Sequence, residues 1–268
     1  RTFIIAVLTV SLTHIVCGIR SPLYWPADGT TIENLSWNIP LSDSSSVLQK
    51  DNEVWLLPIP PDTAVETTRT RHISAKDVLR PDLFRGADQV VRHDRGSTMT
   101  EYYCFRQDGV YALGYSGRDS TSLHTLYDPP LLILPNKLEN VDSTVIHETT
   151  VTLYDAAADS FQTQQKMRIS LTLKARGWVR FENIKLPAAW VKMRLSQDAV
   201  ISYGGTDLRL TDAMTMESDV LLVQDRGPIL EWGIRSQTTD QPKNGLPVYP
   251  SDNFIQITVH QFNQQDVN

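Results

Sequence analysis

The chain has almost no cysteine, with only Cys17 and Cys104 in 268 residues. A disulfide-stapled small module is therefore excluded, because such scaffolds devote many more positions to cysteine. Excess positive charge is lacking too: 25 Lys and Arg stand against 31 Asp and Glu, a formal net charge of −6. A protein that holds nucleic acid through bulk phosphate attraction normally needs a basic face, so nucleic acid is not an expected partner. No long stretch repeats the i, i+3, i+4, i+7 spacing of an amphipathic helix. Also missing are a Gly-rich phosphate loop, a dinucleotide fingerprint and Cys/His clusters at metal-ligand spacing. No cofactor, no metal and no catalytic residue is expected from motifs.

The first segment, RTFIIAVLTVSLTHIVCG, has one basic residue and then a mostly apolar stretch from Phe3 to Val16. That is the length of a signal-peptide core and short for a membrane span. Val16 and Gly18 suit cleavage after Gly18, so residues 1–18 read as a leader and the protein as exported to the periplasm, cell envelope or exterior. Lipidation of Cys17 is the competing reading, although His14, Ile15 and Val16 stand where a lipobox wants Leu and small residues. Either way the mature chain keeps only Cys104, which reads as a buried strand thiol. The Asn34-Leu35-Ser36 triplet matches a glycosylation acceptor but is common by chance.

The remainder reads as strands. Met167, Ile169, Leu171 and Leu173 alternate with Arg168, Ser170, Thr172 and Lys174, a period of two with one apolar face. Similar patterns occur at 145–155, 178–186, 190–195, 220–224, 229–235 and 254–262. Segments 100–106 and 110–116 flank Asp108-Gly109, a strong hairpin signal, and Asp225 to Pro228 marks a second turn. Residues 22–46 read as an irregular opening with one edge strand, 53–59 as an edge strand halted by prolines, and 73–84 as a short helix or turn. The expected fold is all-β and mainly antiparallel: a large curved sheet, half-barrel or sandwich with little helix. The organisation is a leader, an N-terminal half over 19–135 and a C-terminal half over 136–268, the halves being separate or one continuous domain.

Five pieces stand in an order that resembles a group of functionally uncharacterised, exported bacterial envelope proteins and lipoproteins: LYWPAD (23–28), GVYALGY (109–115), PPLLILPNKL (129–138), ENIKLPAAW (182–190) and VLLVQDRGPILEW (220–232). The resemblance implies an exported all-β protein of the half-barrel type that cradles lipid or an apolar partner, and it implies no catalytic residues. The chain departs from the group's pattern at Ala189-Trp190, where Gly-x-Phe is expected, and between Gly29 and Trp37, where the opening is stretched.

The one basic stretch, 67–97, offers Arg69, Arg71, Arg92 and Arg95 as candidates for an anionic partner, yet four interspersed Asp also fit a solvated mixed-charge surface. The six tryptophans read chiefly as sheet packing. Gly114-Tyr115-Ser116-Gly117 lacks the spacing of a nucleophile elbow and reads as a turn after a strand. His93-Asp94 and His147-Glu148 converge only if they leave strand geometry. Two functions follow: a non-enzymatic envelope protein that binds a lipid or apolar ligand or serves as a scaffold, and, as the alternative, a secreted hydrolase or carbohydrate-active module using Asp/Glu with His93 or His147.

Overall fold

The computed structural model describes residues 24–40, 42–43, 47–62, 65–79, 81–93, 99–117, 123–136, 140–155, 160–181, 184–203, 206–224, 226–236 and 254–262. The leader and Cys17 lie outside this set. In chain order the strands are β1 (Thr31–Pro40), β2 (Gln49–Asp51), β3 (Val54–Leu56), β4 (Glu66–Ser74), β5 (Gln89–His93), β6 (Met99–Arg106), β7 (Gly109–Gly117), β8 (Leu123–Pro135), β9 (Thr144–Asp155), β10 (Ser160–Phe181), β11 (Ile184–Tyr203), β12 (Thr206–Val223), β13 (Gly227–Ser236) and β14 (Phe254–Phe262). Two 3-10 turns span Ala75–Asp77 and Asp82–Phe84, and Ser42 and Asp43 are also in 3-10 conformation.

Twelve strands form a closed antiparallel barrel in the order β11-β12-β13-β14-β1-β4-β5-β6-β7-β8-β9-β10, with β10 returning to β11. The expected curved antiparallel sheet is thus present in its fully closed form. Closure removes the free edges that an open sheet of this size would expose. The β2–β3 hairpin hangs outside the ring, where β3 pairs in parallel with Trp178–Arg180 of β10.

Residues opposite each other in an antiparallel pair share a face, so the registers sort every strand into an inner and an outer row. The inner row on β7, β8, β10, β11 and β12 is apolar: Val110, Ala112, Leu131, Leu134, Met167, Ile169, Leu171, Leu173, Ala189, Val191, Val220 and Leu222 form one buried cluster. A second cluster lies on the outer face of the wall from β10 through β14 to β1. There Val47 and Trp55 cover Trp37, Val179, Leu221, Leu230, Trp232, Ile257 and Val259. Gly177 is where Trp55 approaches the wall, since a Cβ there would sit 3.1 Å from its ring.

Several expectations change in detail. The strand expected within 22–46 is present at 31–40 but is paired on both sides instead of lying at an edge, and 66–74 and 89–93 are strands that the basic composition did not disclose. MRISLTLK and WVRF belong to one 22-residue strand bent at the Leu173/Ala175 register shift, and the run 178–186 is the tip of the β10–β11 hairpin. Loop 75–88 packs Phe84 onto the outer wall, stacked on Tyr102 at 4.0 Å.

Gly114 has φ +145°, and a Cβ there would collide with the Thr125 carbonyl oxygen of the neighbouring strand. Backbone and neighbour therefore both demand glycine. Gly114→Ala is expected to lower unfolding free energy by at least about 2 kcal/mol, read from urea denaturation followed by tryptophan fluorescence.

Candidate functional site: a barrel lumen with one apolar and one polar wall

One end of the barrel is plugged by the chain itself. Residues Tyr24 to Gly29 precede β1 and cross from the β12–β13 turn, where Pro26 lies against Gly227, to β4, β5 and β6. Trp25 packs beside the ring of Tyr103 (4.8 Å) and edge-on to His72 (5.8 Å). The plug is held by Gln89, a fully buried amide at the start of β5. Its Oε1 accepts from Trp25 Nε1 (2.7 Å) and His72 Nδ1 (2.8 Å), while its Nε2 donates to the Pro26 carbonyl (3.0 Å) and Asp28 Oδ1 (2.9 Å). All four contacts use the correct amide atom, so the orientation of Gln89 is fixed by its partners.

Opposite the apolar wall, the inner rows of β13, β14, β1, β4, β5 and β6 carry polar groups between a few apolar ones such as Ile32 and Val91. Ser36 bonds Thr258 (2.9 Å), and Asn34 bonds His260 (2.7 Å) and reaches Thr68 (3.4 Å). His93 Nε2 lies 3.4 Å from Glu101 Oε2, which also accepts from the Tyr103 hydroxyl at 2.7 Å. Side chains here are not packed solid. His93 and Glu101 turn inward yet keep 24% and 25% of their side-chain surface accessible, and Tyr127, Val151, Met193 and Leu195 on the facing wall are half-buried. The inner face is thus filled by packed side chains at the Trp25 end and keeps solvent-accessible side chains at the level of Glu101.

The enclosure shifts several ionisations. Burial lowers the His260 ring to about 4, with the neighbouring His72 adding to the shift. Burial also lowers His72 and outweighs its bond to Gln89. Burial alone would raise the Glu101 carboxyl, but His93 and Tyr103 together hold it below its ordinary value. Glu231, between Thr258 and Val220 in the inner row, is raised by burial, and the Ser218 hydroxyl offsets part of that rise.

The sequence-derived candidates fall elsewhere. Arg69, Arg71 and Arg92 are on the outer face of β4 and β5; Arg69 is 3.7 Å from Glu33, and Arg71 and Arg92 are directly opposite. Arg95 is outside the described residues. Cys104 is a buried strand thiol whose titration is raised by burial. His147 sits on β9 with Nε2 2.9 Å from the Pro130 carbonyl oxygen, and Glu148, on the other face, reaches Arg168 at 3.8 Å. His93 proves to be a strand residue facing the lumen, and its partner is Glu101 on the next strand. Ser116 lies within β7, buried and bonded to Tyr102 and His124. Asn34 of the glycosylation triplet is buried against the lumen, which rules it out as an acceptor in the folded barrel. No group of three or more His, Cys, Asp or Glu suited to a metal occurs among the described residues. Two shallow grooves indent the outer face, one of about 880 Å³ beside Leu132, Pro135 and Val145 and one of about 300 Å³ beside Arg168 and Arg194.

Replacing the hub by an apolar isostere, Gln89→Leu, strands the Trp25 and His72 donors and is expected to cost on the order of 3 kcal/mol in urea denaturation. A pH effect follows from His260. Its unfolded ring takes a proton near 6.5 and its folded ring near 4. The folded state therefore has the full contribution above pH 6.5 and loses it as pH falls toward 4, on the order of 3 kcal/mol in all. Glu231 acts with the opposite sign: its contribution is complete below its ordinary range and is lost as pH rises through the raised value. His260→Asn is expected to flatten the loss of stability as pH falls from 6.5 toward 4, and Glu231→Gln to remove the opposing loss as pH rises from the ordinary carboxyl range, both measured as urea midpoints against pH.

Comparison with family models gives no match, and no curated protein matches. Among solved structures, a candidate lipoprotein from Parabacteroides distasonis ATCC 8503, known from a 2.70 Å crystal structure, aligns over 90% of this chain and 99% of its own at 8% identity and a TM-score of 0.35. Likeness at that level bears on neither fold nor function.

Proposed function

We propose that this is an exported, non-enzymatic envelope protein that carries an amphiphile, a lipid or similar apolar molecule, in the lumen of its barrel. One observation carries the reading: a closed barrel whose inner face has an apolar wall on β7 to β12, polar groups on β13 to β6, a plug at one end and inward side chains beyond it that keep accessible surface. Binding sites for small molecules are concave, mostly apolar and supplied with a few fixed polar groups, and barrels of this class hold ligands inside. The apolar N-terminal stretch from Phe3 to Val16 supports export.

The alternative of a hydrolase has the approach of His93 to Glu101 in its favour, a carboxylate and an imidazole meeting in the lumen. The third group bonded there is the Tyr103 hydroxyl, which burial raises well above its ordinary value and which therefore stays protonated. A neutral phenol is a poor nucleophile, so the pair reads better as part of a binding wall.

Native mass spectrometry of the protein recovered from a bacterial periplasm, followed by solvent extraction, tests the proposal. A stoichiometric apolar adduct is expected, with an N-terminus at Ile19. A bare mass, together with no uptake of an added apolar fluorophore, would overturn it.

A further inference from the structure

Resting on the lumen as the binding site, the hydrogen-bond polarity of its inner wall selects the head of the ligand. His260 Nδ1 lies 2.7 Å from Asn34 Oδ1, whose amide nitrogen is directed at Thr68, so the ring donates through Nδ1. In the neutral ring Nε2 is then a bare acceptor. It is buried and has no hydrogen-bond partner among the described residues. Glu101 adds a carboxylate whose Oε2 accepts a hydrogen bond from the Tyr103 hydroxyl and faces His93, with a quarter of its side-chain surface accessible. Among the described side chains that turn inward on β1, β4, β5, β6, β13 and β14, none is Lys or Arg.

A lumen-facing carboxylate with no Lys or Arg bonded to it among the described side chains, and an unpartnered ring acceptor, have a common requirement, a ligand that brings hydrogens and positive charge. An anionic head would face Glu101 and the lone pair of His260. We infer that the polar wall formed by Glu101, His93, His260 and Asn34 is a site for the primary ammonium head of an amphiphile, its chain lying against Val151, Met193 and Leu195.

The test is competition for a bound neutral fluorophore, N-phenyl-1-naphthylamine, on the full chain near neutral pH, with dodecylamine, dodecanol and dodecanoate as competitors of equal chain length. Dodecylamine is expected to displace the probe at about ten-fold lower concentration than dodecanoate, with dodecanol between. Glu101→Gln should shrink that gap to within about three-fold, whereas Glu101→Asp, which keeps the charge, should retain most of it, and Glu148→Gln on the outer face should leave it unchanged. Thermal melts of each variant establish that it is folded. Dodecanoate binding as tightly as dodecylamine, or a preference that survives in a folded Glu101→Gln protein, would overturn the ammonium site and leave the lumen as a binding site. Failure of the wild-type chain to bind the probe or any competitor would overturn both.

Discussion

The pairing of β1 with β14 is the constraint on which the rest of the molecule depends. It sets Ile32 against Phe262 and Pro40 against Phe254, joining segments more than two hundred positions apart. Until it forms, the sheet is an open ribbon with two long unsatisfied margins. Once it forms, its register decides which side chains enter the lumen. A slip of one residue would bring Trp37 and Ile257 inside and push Asn34 and His260 to the surface. Closure of this kind depends on contacts of very high sequence separation, so the loop entropy of nearly the whole chain must be met before the last ladder stabilises anything.

The two faces of the wall carry different burdens. From β10 to β1 the outer face is apolar and covered by Trp55 and Val47, so this half of the barrel is anchored from outside. Its inner face is thereby free to hold Glu231, Thr258, Ser36, Asn34 and His260, groups that could not by themselves supply the burial a fold needs. The opposite half is anchored from within, by the aliphatic inner rows of β7 to β12. Polar groups inside a protein are tolerated when bonded, and Gln89 with its four contacts meets that condition in full. Among the described residues four buried polar atoms do not: His93 Nε2 and His260 Nε2 on the polar side of the lumen, Ser218 Oγ beside it on β12, and Asn136 Oδ1 after β8.

Much of the architecture was legible in the sequence because it rests on period-two patterning and turn chemistry. MRISLTLK announced its inner and outer faces, Asp108-Gly109 its hairpin, and 254–262 its strand. What escaped were β4 and β5, where inward positions include Thr70, His72, Gln89 and His93 and outward ones Arg69, Arg71 and Arg92, and the double pairing of β1, expected only as an edge strand. A polar residue facing a lumen and one facing solvent look alike in sequence, so the alternation that reveals a strand weakens where both faces are polar. The same blindness hid the site. Three of the six histidines, His72, His93 and His260, converge from strands far apart in the chain, and only the register of a closed ring brings them together. His93 drew attention for its neighbour Asp94, whereas the group that matters to it is Glu101, across the strand.

The ladder between β8 and β9 runs only from Leu123 opposite Asp155 to Asp128 opposite Thr150, after which Pro129 and Pro130 end it and the two strands continue without each other. Beyond that point Thr149 and His147 reach the carbonyls of Pro129 and Pro130 through their side chains. Ladders elsewhere range from four pairs at β5–β6 and β13–β14 to fifteen at β11–β12. Where the main-chain ladder between β8 and β9 stops, a hydroxyl and an imidazole take over its work, so the hoop stays joined there by side chains that a single substitution could remove.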